Sequence, residues 1–173
     1  MRLPPLALTL AVLLTLTACV PAPNQSRQEG TVAPTDAPLF ASDAEALAAA
    51  EEVYREYSVV ADQVAEGRDV QDLAKFVTNE WLEQETLTYL SLREEQKRLV
   101  GQSTIRSINL QSFADNRVVI YVCHETSNIR VIDASGADVT PADRPPTATL
   151  QVTLTVDESR LLISDSELWS TSC

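Results

Sequence analysis

The chain has 173 residues, of which 45% are hydrophobic and 22% charged, and its 25 Asp and Glu against 13 Lys and Arg give a net charge of −12. That composition supplies one buried core. The acidic excess argues against nucleic acid as a partner, which needs clustered Lys and Arg, and against adhesion to anionic headgroups, which attract basic segments. Met1 and Arg2 make a short positive start, and Leu6 to Leu16 is almost wholly apolar, the anatomy of a secretory signal. A lasting transmembrane helix needs about 20 apolar residues. This run is too short, and Pro21 and Pro23 follow it at once.

Leu16-Thr17-Ala18-Cys19 resembles the lipobox of bacterial lipoproteins. The resemblance implies that residues 1–18 are a signal peptide and that Cys19 becomes an acylated N-terminus, of the diacyl and palmitate-bearing kind. Two or more acyl chains hold a protein stably on a bilayer, here the outer face of the cytoplasmic membrane. The Arg-rich, Lys-poor and Ala-rich usage fits a Gram-positive, actinobacterial source. The alternative is an ordinary signal cleaved after Ala22, with Pro23 just beyond the cut. Loss of residues 1–18 removes Arg2 and no acid, taking the charge from −12 to −13. Residues 19–41 hold Pro21, Pro23, Pro34 and Pro38 among polar residues without apolar periodicity, and read as a disordered tether. Residues 42–173 are then a single domain.

Ser42-Asp43-Ala44-Glu45 is a capping box, and Leu47, Tyr54, Tyr57, Ala61 and Val64 behind it share one helix face. Gly67 supplies a stop. Asp69 caps a short second helix carrying Val70, Leu73, Ala74 and Phe76, and a third helix is expected from about Asn79 to Val100 with Trp81, Leu82, Tyr89, Leu90, Leu92 and Leu99. Its charged stretch, Arg93 to Arg98, reads as a solvated face. From Thr104 the period changes to two, with Ile108 and Leu110 alternating with polar residues. Arg117 to Cys123 is an unbroken β-branched and aromatic run, as in a strand covered on both faces. Asp133 to Gly136 is a turn. Leu150, Val152, Leu154 and Val156 alternate with Thr and Gln, and Asp157-Glu158-Ser159 joins this strand to Leu161 through Trp169 as a hairpin. Helices followed by antiparallel strands give an α+β fold, with the N-terminal helices packed on one face of a bent sheet.

With Cys19 committed to lipid, Cys123 and Cys173 remain, and in an oxidising compartment an even pair reads as a disulfide. No Cys-x-x-Cys spacing is present to make it a redox site.

The order of helices, then YVCHETSNIRVIDASGADV as one long strand, then TATLQVTLTV and LLISDSELWSTSC, with Cys123, Gly136, Trp169 and Cys173 at these places, resembles actinobacterial lipoproteins whose domain is similar to nuclear transport factor 2 and ketosteroid isomerase. The resemblance implies a cystatin-like cone, in which helices close a strongly bent antiparallel sheet around a cavity at the open end. The expected pocket lining is Tyr54, Tyr57, Trp81, Tyr89, Tyr121, His124 and Trp169. Isomerase chemistry of that family needs a carboxylate base facing a tyrosine or protonated acid. Val118 to Val122 carry no acid, so no catalytic residue is carried over.

Other chemistry is sparse. The glycines at 30, 67, 101 and 136 form no nucleophile elbow, phosphate loop or dinucleotide fingerprint. His124 is the sole histidine, so a histidine-rich zinc site cannot be built, and neither metal nor cofactor is expected. His124 with a carboxylate is a candidate acid or base, against the plainer reading of a surface or disulfide-neighbouring histidine at a strand end. Asp133, Ser135 and Asp138 weakly resemble a calcium loop, but Arg144 stands where the closing Glu is required. The expected function is a membrane-anchored, non-catalytic domain that binds an envelope protein or a small apolar ligand. The alternatives are a small cone enzyme of isomerase or dehydratase type and an accessory subunit of an envelope complex, with the sheet also open to homodimer formation.

Overall fold

The computed structural model describes residues 39–173; the signal peptide, Cys19 and the tether as far as residue 38 lie outside the described residues. The last tether residues are part of the domain instead, since Phe40 is buried in the core with its ring 5.7 Å from that of Phe113. Helix α1 (Asp43–Ala65) starts at Ser42, whose side chain accepts the Glu45 N–H, while the Glu45 carboxylate reaches back to the Ala41 N–H at 2.8 Å. That is the expected box displaced by one residue at its return contact. Its C-terminus closes through Gly67, at φ 119°, with Gly67 N–H donating to Val64 and Arg68 N–H to Gln63. Ala46, Ala50, Tyr54, Val60 and Val64 form its buried stripe. A 3-10 helix (Val70–Lys75), capped by Asp69, sets Leu73 and then Phe76 into the core.

Helix α2 (Asn79–Glu94) is shorter than its sequence pattern predicts. It ends at a left-handed Gln96, φ 54°, with Gln96 N–H donating to Arg93 and Lys97 N–H to Leu92. This is the closure usually made with glycine, which is why the pattern ran on to Gly101. The expected helical stretch Arg98–Val100 is instead strand β1, paired antiparallel with β4 (Arg130–Ile132). The charged run from Arg93 to Arg98 thus spans a helix end, a turn and a strand start. Gly101 serves a close approach, since a Cβ there would meet the Asn128 carbonyl oxygen at 2.1 Å.

The main sheet has four antiparallel strands in the order β2-β3-β5-β6: β2 (Thr104–Ala114), β3 (Arg117–Glu125), β5 (Thr147–Asp157) and β6 (Arg160–Ser170). Asp115 and Asn116, both at positive φ, make the β2–β3 hairpin. The long strand expected from Tyr121 onward is two: β3 stops at Glu125, and β4 follows a turn in which Ile129 N–H donates to Thr126. Helices cover one face of the sheet only. Val118, Ile120, Val122, Val152, Leu154 and Ile163 pack with the α1 stripe in a single core. The fold is therefore α+β, with N-terminal helices on a curved antiparallel sheet. Among the described residues no helix is long and apolar enough to cross a membrane.

Candidate functional site

Period-two alternation places His124 on the inner row with Val118, Ile120 and Val122, facing the helices, while Cys123 faces outward. Residues 54, 57 and 61 of α1 lie on one helix face above it. His124 is buried, so the surface reading does not hold, while its place beside the disulfide-bonded Cys123 near the end of β3 does. Its Nε2 lies 2.9 Å from the Tyr54 hydroxyl and its Nδ1 3.2 Å from Ser103 Oγ. Both neighbours are hydroxyls that donate or accept, so either neutral tautomer satisfies both ring nitrogens. Burial pushes the imidazole pKa down and keeps the ring uncharged.

A second pair lies beside the first. The Tyr57 hydroxyl donates to Glu85 Oε1 of α2 at 2.5 Å, and the Tyr54 and Tyr57 rings are 5.7 Å apart. The Tyr89 hydroxyl donates to the Ala61 carbonyl at 3.3 Å. Burial foremost, with the Glu85 charge behind it, raises all three phenols above their ordinary range. Burial also raises Asp62, which the Ser103 backbone N–H partly offsets and Glu66 reinforces. The result is a group of neutral phenols and a neutral imidazole, with the Glu85 carboxylate as an acceptor beside them, already engaged with protein partners. Every hydroxyl in it has a protein partner.

Tyr54 and His124 are buried at this point among the core side chains. A groove of about 340 Å³, lined by residues including Arg55, Asp62, Gln102, Ser103 and Ile105, adjoins the network and touches it only through Ser103 and Asp62. Trp81 packs against the core with its Nε1 buried and without a hydrogen-bond partner among the described residues.

The structure divides the seven residues expected to share a pocket. Tyr54, Tyr57, Tyr89 and His124 come together, and Trp81 joins the same core. Tyr121 and Trp169 lie on the opposite, outer face, with ring centroids 5.2 Å apart. Glu85, Ser103 and Asp62 were not singled out in the sequence. Glu85 had a legible signal: it falls midway between Trp81 and Tyr89 at helical spacing, an acid on an otherwise apolar stripe. Ser103, in a connecting segment, had none.

Cys123 and Cys173 are joined by a disulfide, 50 residues apart in sequence. The final residues cross the outer side of β5 to reach β3, where Thr149 Oγ1 donates to the Ser172 carbonyl at 2.8 Å. In the 133–138 turn, Asp133 Oδ1 accepts from Ser135 N–H, Ser135 Oγ and Ala137 N–H, and these bonds hold its carboxyl below the usual range. Asp138 caps Thr140 N–H at 2.9 Å and faces Arg130 at 3.7 Å. Both acids are spent on the loop itself. Among the described residues no group of three or more metal-ligating side chains converges.

No protein-family model matches the chain, and no curated protein matches it in sequence. Among solved structures, the fold is similar to the intermembrane space region of the chloroplast protein ARC6, with a TM-score of 0.50 at 15% identity over 70% of this chain and 95% of that one. Aln2 from a Streptomyces species aligns with a TM-score of 0.45 at 15% identity, over 70% and 87%. The beta subunit of a putative aromatic-ring-hydroxylating dioxygenase from Novosphingobium aromaticivorans aligns at 0.44 and 10% identity, over 69% and 85%. At these identities the likeness concerns fold alone.

Proposed function

We propose that this chain is a lipid-anchored extracytoplasmic protein whose domain binds a protein or a small apolar ligand without catalysing a reaction. The observation that carries the second half is the burial of the interior cluster, in which Tyr54 and His124 are buried and Tyr57 and Tyr89 partly so. Tyr54 and His124 are closed off from solvent, and the adjoining groove meets their cluster through Ser103 and Asp62 rather than at the Tyr54 hydroxyl or the His124 ring, so a substrate has no direct approach to them. The anchoring half is supported by Leu16 to Cys19 and by the disulfide, which belongs in an oxidising compartment. The fold likeness to an intermembrane space region is compatible with such a placement.

The test is expression of the full chain in a Gram-positive host fed an alkyne analogue of palmitate, followed by gentle extraction and mass spectrometry. The proposal expects label at Cys19, lost in Cys19→Ala, and a protein or small molecule retained unchanged by the domain. Unlabelled, freely secreted protein would sink the anchor.

A second reading, a small cone enzyme of isomerase or dehydratase type, draws on one feature: the His124–Tyr54 pair is linked through Ser103 to the neighbouring groove. Chemical conversion of the retained molecule, abolished by His124→Gln, would establish that reading instead.

A further inference from the structure

β6 is an edge strand, and only its first half is covered. Val77 bridges to Ile163, with Thr78 N–H donating to the Ile163 carbonyl at 2.9 Å and Ile163 N–H to the Phe76 carbonyl at 2.8 Å. Beyond Ile163 no described segment continues the sheet on that side. Register shifts bracket the open part: Ser164 is the extra residue of one, and Trp169 of the other. Between them Asp165, Ser166, Glu167 and Leu168 pair regularly with β5. Asp165 and Glu167 are exposed on the outer face, opposite Thr153 and Gln151, and Leu168 and Trp169 are about 60% exposed (61% and 59%). Trp169 reaches across β5 to Tyr121, beside Gln151, whose Nε2 donates to Glu167 Oε1 at 3.0 Å.

An uncovered edge offers backbone donors and acceptors to another strand. Its side chains decide which strand is accepted. A second copy of β6 laid antiparallel along the first brings Asp165 and Glu167 of both copies together, and like charges facing across strands destabilise pairing. A strand with Lys or Arg at alternate positions meets those carboxylates with opposite charge and places a cation within reach of the Trp169 and Tyr121 rings. The net charge of −12 attracts such a segment at long range as well.

We infer that the open half of β6, from Asp165 to Trp169, is a docking edge for an extended basic segment of another protein, added as a fifth strand. The inference rests on the binding-module reading and names the partner chemistry and the surface. The outer face alone is too polar for an apolar ligand, since Asn109, Gln151 and Thr153 share it with the aromatic pair.

The test is selection of binders from a random-sequence peptide display library on the full chain, purified in detergent with its disulfide formed. The enriched peptides are expected to alternate Lys or Arg with other residues. Their affinity should fall about tenfold or more in the double variant Asp165→Lys/Glu167→Lys and weaken with added salt. The charge-matched variant Glu52→Lys/Glu56→Lys, at exposed positions of helix α1 away from this edge, should bind as the parent does. An unchanged urea midpoint in both variants separates lost binding from lost folding. Acidic or uncharged enriched peptides, no enrichment, equal binding by the β6 variant, or a homodimer formed through this edge would each overturn the inference. Peptides that bind elsewhere would leave the binding-module reading standing, whereas turnover of a retained metabolite would remove both.

Discussion

The two faces of the main sheet are built from the same strands and have opposite chemistry. On the inner face, β3 and β5 present Val118, Ile120, Val122, Val152 and Leu154, all inaccessible to solvent, and the polar groups among them are bonded to one another. On the outer face the same strands present Tyr121, Gln151 and Thr153, and the neighbouring edge adds Asp165, Glu167 and an exposed Trp169. Alternation along a strand makes this separation automatic, and it lets one face fix the fold while the other varies. A buried tyrosine or histidine is then read first as part of the scaffold. The exposed Trp169 on the outer face has no such structural explanation.

This contrast sets out an order of effects. Replacing Cys123 and Cys173 together with Ser should cost most, about 4 kcal/mol from the entropy of a loop closed across 50 residues, measured as the shift in urea unfolding free energy. Leu154→Ala, which empties part of the inner core, should cost about 3 kcal/mol by the same measurement. Tyr54→Phe should cost about 2 kcal/mol, because a buried imidazole nitrogen loses its partner. Trp169→Ala should cost only about 1 kcal/mol or less, the aromatic contact with Tyr121 being its main loss. A Trp169→Ala variant less stable than Leu154→Ala would erase the distinction between the faces.

pH sharpens the same point. Because burial lowers the His124 pKa, the folded protein resists protonation there and the unfolded chain does not. Stability is therefore lost as pH falls through the unfolded histidine value, about 6.5, toward the folded one. The groups facing the ring are Tyr54 and Ser103, with Asp62 behind Ser103. Urea midpoints taken across that window should drop in the parent and stay flatter in His124→Gln. A parent midpoint that rose on acidification would show that a neighbouring carboxylate dominates instead.

Much of the fold was legible in the sequence because it rests on periodicity. The α1 stripe, the β3 run and the alternation from Leu150 to Val156 follow directly from which residues need burial. The errors arose where backbone closure, not burial, decides. Gln96 ends α2 in a conformation that any reading reserves for glycine, so Leu99 was assigned to the helix although it belongs to β1. The break after Glu125 depends on a turn and on pairing with β1, a non-local contact. In the site, the face of His124 relative to Cys123 was readable, but which face the helices cover was not. Trp169 and Tyr54 looked alike as aromatics and were grouped together. Only the sheet register and the bulge at Trp169 separate them.

The most direct measurement is the urea midpoint of the full chain with and without a saturating basic peptide selected on it. A ligand that binds the folded state alone at about 100 times its Kd adds about 2.7 kcal/mol. The parent should show that gain, Tyr54→Phe should start lower and gain as much, and Asp165→Lys/Glu167→Lys should start level with the parent and gain nothing. If Tyr54→Phe starts level and loses the gain, while the edge variant keeps it, the interior is the binding site and the assignment of the two faces is wrong.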